Sequence, residues 1–173
     1  SIQTVVDVPC GDFNYMRAVL ASHATPAGIR YLGMDIVHSL IHQLRSSFAT
    51  NSPSLQIDFM PFDFSTQRLW PVDLLVIRDV LFHFDRDRVQ TVLHNINASG
   101  SRWLLATTIP NADSDHNKQV HKKFRPGKGF SSYGSWDLQA EPFNLPRPLL
   151  AIGEDGNDLQ RRIMGLWPLP LWP

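Results

Sequence analysis

The stretch that most constrains this chain is Thr4-Val5-Val6-Asp7-Val8-Pro9-Cys10-Gly11-Asp12-Phe13-Asn14-Tyr15-Met16. A β-branched run ends in an acid, a tight Pro-Cys-Gly turn follows, and the next residues can start a helix. Strand, loop and helix in that order open a nucleotide-binding α/β unit. Its loop turns the chain at the carboxyl end of the strand and presents backbone N–H groups to a ligand. Gly11 lets backbone come close to that ligand, and Pro9 stiffens the approach.

The pattern then repeats. Residues 4–8 read as a first strand and 14–23 as a first helix. Residues 30–35 read as a second strand, again ending in an acid, Asp35. Val37, Leu40, Ile41, Leu44 and Phe48 recur at helical spacing and predict a second helix, which Asn51-Ser52-Pro53-Ser54 breaks. Residues 55–59 are a third strand, and Asp63 lies just past its end. Residues 73–77 are the most apolar strand, as expected of a central parallel strand covered on both faces. Asp85 can cap a helix carrying Val89, Val92, Leu93 and Ile96 on one face, and Ser99-Gly100 stops it. Residues 103–109 are a fifth strand. Strands alternating with helices five times predict an α/β fold: a doubly wound, mostly parallel sheet with helices on both faces. Residues 149–152 and 162–166 predict a late antiparallel hairpin. Residues 110–147 read as a polar loop, and the proline-rich tail from Trp167 is not expected to be central strand.

A chain of 173 residues suits one domain with a sizeable core. Sixteen basic and sixteen acidic residues cancel, so no global field draws it to nucleic acid or to a membrane surface. The single cysteine, Cys10, excludes an internal disulfide and fits a reducing compartment. No apolar run is long enough to span a bilayer, so the expected setting is cytoplasmic.

Chemistry is expected outside the carboxyl ends of the strands, near the point where strand order reverses. Four successive ends carry acids there: Asp7 to Asp12, Asp35, Asp63, and Arg78-Asp79. Asp35 sits where a carboxylate reaches both ribose hydroxyls of a nucleoside; the alternative is that it caps the second helix. A dinucleotide pyrophosphate wants Gly-x-Gly-x-x-Gly, whereas this loop has one glycine flanked by Asp7 and Asp12. Acids there repel phosphates and tolerate a cationic or zwitterionic ligand. S-adenosylmethionine, with a sulfonium, an ammonium, an adenosine and no phosphate, meets that requirement.

On these residues the chain resembles a class I S-adenosylmethionine-dependent methyltransferase with a Rossmann-like fold. The matching segments are Val5 to Asp12, Tyr31-Leu32-Gly33-Met34-Asp35, Pro61-Phe62-Asp63-Phe64, and Asp73 to Phe84 with its Arg78-Asp79-Val80-Leu81-Phe82-His83 run. It is especially similar to a bacterial-type subgroup with Asp-x-Pro-Cys-Gly-Asp loops and a Pro-Phe-Asn-Leu-Pro segment, here 142–146. The loop departs from the usual pattern in having Pro9 where the first glycine often sits. The sequence starts almost on its first strand, where many domains of this kind carry helices, so a trimmed or disordered N-terminus is expected.

The resemblance implies a cofactor-binding set of Asp7, Pro9, Cys10, Gly11, Asp12, Asp35, Ile36, Asp63, Phe64, Arg78 and Val80, with no metal. The Pro9–Asp12 loop would line the methionine part, and Asp35 would hold the ribose. Asp63 and Phe64 would meet the adenine edge and face, though Asp63 is equally readable as an ordinary turn acid. Arg78, Asp79 and Val80 would border the methyl group. The catalytic candidates are Asp79 and His83, either of which could take a proton from an acceptor; His83 is also readable as a local packing residue. The expected partner is a small-molecule methyl acceptor reacting through oxygen or nitrogen, not nucleic acid and not a membrane.

Weaker candidates are His38 and His42, four apart on one helix without a third ligand, and the basic run 122–129, readable as a phosphate grip or a surface loop. Trp136, Phe143 and Trp167 form either a substrate wall or core. Two rivals stand beside the enzyme reading. One is a methyltransferase-like binding subunit without chemistry. The other is an NAD-dependent reductase, against which the single-glycine loop and the lack of a Tyr-x-x-x-Lys pair both speak.

Overall fold

A computed structural model describes residues 1–110, 117, 136–154 and 162–172. Its elements run β1 (Thr4–Asp7), α1 (Asn14–Leu20), β2 (Ile29–Asp35), α2 (His38–Phe48), β3 (Thr50–Asn51), β4 (Leu55–Pro61), β5 (Leu74–Ile77), a 3-10 turn (Leu81–His83), α3 (Arg86–Asn97), β6 (Trp103–Thr108), β7 (Leu150–Gly153) and β8 (Ile163–Pro168). The strands form one sheet in the order β3-β4-β2-β1-β5-β6-β8-β7. β1 pairs in parallel with β2 on one side and β5 on the other, β2 with β4, and β5 with β6. Chain order reverses between β1 and β5, so the crevice of a doubly wound sheet opens at their carboxyl ends.

Strand alternation divides the core in two. Val5, Tyr31, Phe59 and Val76 face α1 and α2 through Met16, Leu20, Ile41 and Leu44. Val6, Leu75, Ile77, Leu104 and Ala106 face α3 through Val89, Val92, Leu93 and Ile96. The central strands are apolar on both sides because both faces are covered. Asp85 caps α3 by accepting from the Arg88 N–H at 2.8 Å, and the left-handed Gly100 (φ 75°) turns the chain beyond it.

Five features differ from the sequence reading. α1 ends at Leu20, three residues early. The break after α2 contains β3, a two-residue strand antiparallel to β4. β4 runs to Pro61, and no helix links it to β5, so the expected alternation lapses once among the described residues. On that face Arg30, Gln56 and Asp58 stay exposed, and a hollow of about 730 Å³ lies between β1, β2 and β4 and the segment Trp70-Pro71-Val72. The hairpin forms, with β7 and β8 antiparallel, but β8 extends through Trp167 and Pro168. Pro168 is tolerated inside the sheet because it lies at the strand's end, beyond the register of β7, where Leu166 is the last partner. Trp136, Phe143 and Trp167 are core: all three are buried, and the two indole N–H groups donate to the carbonyls of Leu81 and Pro146. The basic run 122–129 and most of the polar loop lie outside the described residues.

Candidate functional site

The loop after β1 is pinned to both neighbouring strands. The Val8 N–H donates to Val76 O at 2.9 Å, and the Cys10 N–H to Met34 O at 2.7 Å. Gly11 is left-handed (φ 50°), with nothing within 4 Å of where a Cβ would stand, so its outer side is open. Phe13 is also left-handed (φ 64°), a conformation that costs roughly 1–2 kcal/mol for a residue with a Cβ. Its ring offsets that cost by packing against Tyr31, Phe48 and Phe59, with centroids 5.0–5.5 Å apart.

Asp7, Pro9, Cys10, Gly11, Asp12, Tyr15, Met16, Arg78 and Asp79 line a hollow of about 200 Å³ at the reversal point. Seven of these are residues the sequence singled out. Tyr15 and Met16 are additions, brought in because the first turn of α1 closes over the loop.

Asp7 is buried and accepts from the Tyr31 hydroxyl at 2.8 Å. Burial pushes its pKa up to about 7, against the opposing pull of the Tyr31 hydrogen bond and the Arg78 charge. Burial, with Asp7 and Asp35 nearby, raises the Cys10 thiol to about 12, so it is an inert loop residue. Asp12 is exposed and accepts from both the backbone and side-chain nitrogens of Asn14.

Asp35 is buried at the end of β2. Its Oδ2 accepts from the Gly11 N–H at 3.3 Å and its Oδ1 from the Val37 N–H at 3.0 Å, just ahead of α2. One carboxylate thus ties the loop to the approach of α2, and each oxygen keeps a lone pair for a further donor. Ile36 beside it is 61% exposed.

The third strand end is turned inward. Asp63 accepts from the Ser65 N–H and hydroxyl and from the Thr66 hydroxyl, the bonding of a turn acid. These bonds, led by that from the Ser65 hydroxyl, hold its pKa below the usual range. Phe64 is buried against Phe84, with centroids 5.7 Å apart, and Val80 is buried in the same cluster. Neither lines the hollow.

After β5, Arg78 and Asp79 join a four-membered ion network with the hairpin. Arg78 Nε lies 2.8 Å from Glu154 Oε1, and Arg78 Nη2 lies 3.2 Å from Asp79 Oδ2. Arg162 Nη1 lies 3.1 Å from Asp79 Oδ1, and Arg162 Nε lies 3.5 Å from Glu154 Oε2. Asp79 is left-handed (φ 54°), and its N–H donates to Thr107 Oγ1 at 3.0 Å. Both carboxylate oxygens of Asp79 therefore face arginines. His83 is exposed on the 3-10 turn, its ring 4.6 Å from that of Phe82. His38 and His42 are both exposed on α2, and no group of three metal-ligating side chains occurs among the described residues.

No family model matches the chain, and no curated protein matches its sequence. Solved structures do. The methyltransferase domain of bacterial CtHen1 matches with a TM-score of 0.63 at 17% identity, over 97% of this chain and 91% of that one. The mitomycin 7-O-methyltransferase MmcR matches with a TM-score of 0.62 at 18% identity, over 96% of this chain and 49% of that one. Human N-acetylserotonin methyltransferase, solved with S-adenosylmethionine, matches with a TM-score of 0.51 at 18% identity, over 64% of this chain and 31% of that one. The chain thus spans half or less of the last two. Sheet order, reversal point and these likenesses agree: the chain has the class I S-adenosylmethionine-dependent methyltransferase fold.

Proposed function

We propose that the chain binds S-adenosylmethionine at the β1–β5 crevice and transfers its methyl group to an oxygen or nitrogen of a small organic acceptor. The observation that carries this reading is the charge of the crevice. Asp7, Asp12 and Asp79 line it and Asp35 lies behind Gly11; among the described residues Arg78 is the cation in the lining, with Arg162 reaching Asp79 from behind. That set of carboxylates fits a cationic nucleoside and opposes a pyrophosphate. The hollow of about 200 Å³ is below the roughly 300–1,000 Å³ of a whole ligand site, so it suits the amino-acid end, leaving the adenosine over Asp35 and Ile36.

When bound, the cofactor supplies a methyl group on positively charged sulfur. The chain's own part is binding and placement. The Pro9–Asp12 loop lines the amino-acid end. Asp35 accepts from the ribose hydroxyls with its remaining lone pairs, and exposed Ile36 offers an apolar surface to the adenine. The Phe64 ring is in the core, so we assign it no adenine contact; Asp63 and Val80 support the rim from behind. Alignment of acceptor and methyl in line can supply several kcal/mol, up to about 7–11 in well-aligned cases. We assign the acceptor's proton to His83 rather than Asp79, whose oxygens both face arginines.

A screen of phenol, carboxylate and amine acceptors with methyl-labelled cofactor tests this. Labelled product should form with at least one class, and His83→Gln should lower kcat about 10²-fold or more with little change in cofactor affinity. Tight cofactor binding without product from any class would instead favour a non-catalytic binding subunit.

A further inference from the structure

Among the described residues, Arg78 is the one cation whose side chain lines the crevice, which otherwise presents Asp7, Asp12 and Asp79. Its guanidinium is fixed from three sides. Nε donates to Glu154 Oε1 at 2.8 Å, Nη2 pairs with Asp79, and the Tyr15 ring lies 4.4 Å from the guanidinium carbon. Nη1 has no protein partner among the described residues. Glu154 is itself held: its side chain is 7% exposed, and it accepts from Thr107 Oγ1 at 3.3 Å while facing Arg162. Arg162 also offsets the acids that flank Arg78, so the network is neutral overall and does not repel an anion.

We propose that Arg78 receives the carboxylate of the cofactor's amino-acid end through Nη1, and that Glu154 of the β7–β8 hairpin positions it. This rests on the methyltransferase reading above. A zwitterion entering this crevice meets acids for its ammonium on the β1 side and the Arg78 guanidinium for its carboxylate on the β5 side. The guanidinium is already immobilised, so little side-chain entropy is lost when the ligand arrives. The C-terminal hairpin, distant in sequence, thereby fixes which way round the amino acid lies.

The test is calorimetric titration of the full chain with S-adenosylmethionine and with decarboxylated S-adenosylmethionine, which differ only in the carboxylate. The native protein should bind the first roughly 10- to 100-fold more tightly. Arg78→Ala should bring that ratio close to one, and Glu154→Gln should lower it part of the way. Arg78→Gln serves if Arg78→Ala does not fold. The ratio is read only for variants that melt cooperatively near the native midpoint, since a protein without its fold would also show a ratio near one. A ratio unchanged by loss of Arg78 overturns the clamp alone. A native protein that binds neither ligand contradicts the methyltransferase reading, and the clamp falls with it.

Discussion

Asp7 combines burial with a single side-chain donor, the Tyr31 hydroxyl at 2.8 Å. Arg78 faces it from the end of β5, Asp35 from the end of β2, and Cys10 lies beside it in the loop. Its pKa rises on folding from 3.8 to about 7. Stability from such a group is fully present below the unfolded value and is lost as pH climbs through about 7. Asp7→Asn should therefore stabilise the ligand-free protein at pH 8, by on the order of 1–4 kcal/mol in denaturant melts, with little effect at pH 4. The same substitution should weaken cofactor binding. Tyr31→Phe removes the donor that lowers this pKa, so the pH above which cofactor binds should move upward; an unchanged profile would show that the pair does not set it. The acid at the end of β1 was legible in sequence. Its partner was not, because Tyr31 reads as an ordinary strand residue until β1 and β2 pair. Asp63 shows the converse: two readings fitted the sequence, and its bonds to Ser65 and Thr66 are those of a turn.

Among the elements, β2 carries a strict packing demand. A Cβ at Gly33 would stand 2.7 Å from Phe59 Cδ1 and 3.2 Å from Cys10 Cβ. Phe59 is fully buried in the aromatic group that also seats Phe13, so its ring has little room to yield. Gly33→Ala should cost about 1–3 kcal/mol in chemical denaturation, and Phe59→Leu in the same chain should recover part of it. An unchanged midpoint would mean that the ring moves freely. Helices α2 and α3 were legible because their apolar residues keep helical spacing and Asp85 is a strong cap. β3 was not, because two exposed residues carry no periodicity. The helix-free link from β4 to β5 escaped a reading by alternation because alternation is a rule about averages. β8 outran its predicted end because Pro168 sits where β7 no longer pairs.

At the scale of the molecule, the sheet order follows from alternating strands and helices, and the late hairpin closes it with two antiparallel strands. That much is written locally along the chain. The ion network is not: Arg78 and Glu154 lie 76 residues apart, and only the placing of β8 between β6 and β7 brings the hairpin to the crevice. At the opposite edge, Asp73 accepts from the N–H groups of Gln3 and Thr4 and from Arg102, which tie β1, β5 and β6 together where they begin. Those hydrogen bonds hold its carboxyl well below the usual range. The two edges divide the work, one locking the strands and the other presenting the crevice. The most direct measurement of the central claim is a calorimetric titration of the native chain and of Asp35→Ala with S-adenosylhomocysteine and with NADH. Homocysteine-product binding that Asp35→Ala weakens more than tenfold while the variant still melts cooperatively, a few degrees lower for the loss of its bonds to Gly11 and Val37, with no NADH binding, is the predicted result. Binding of NADH, or product binding indifferent to Asp35, would contradict it.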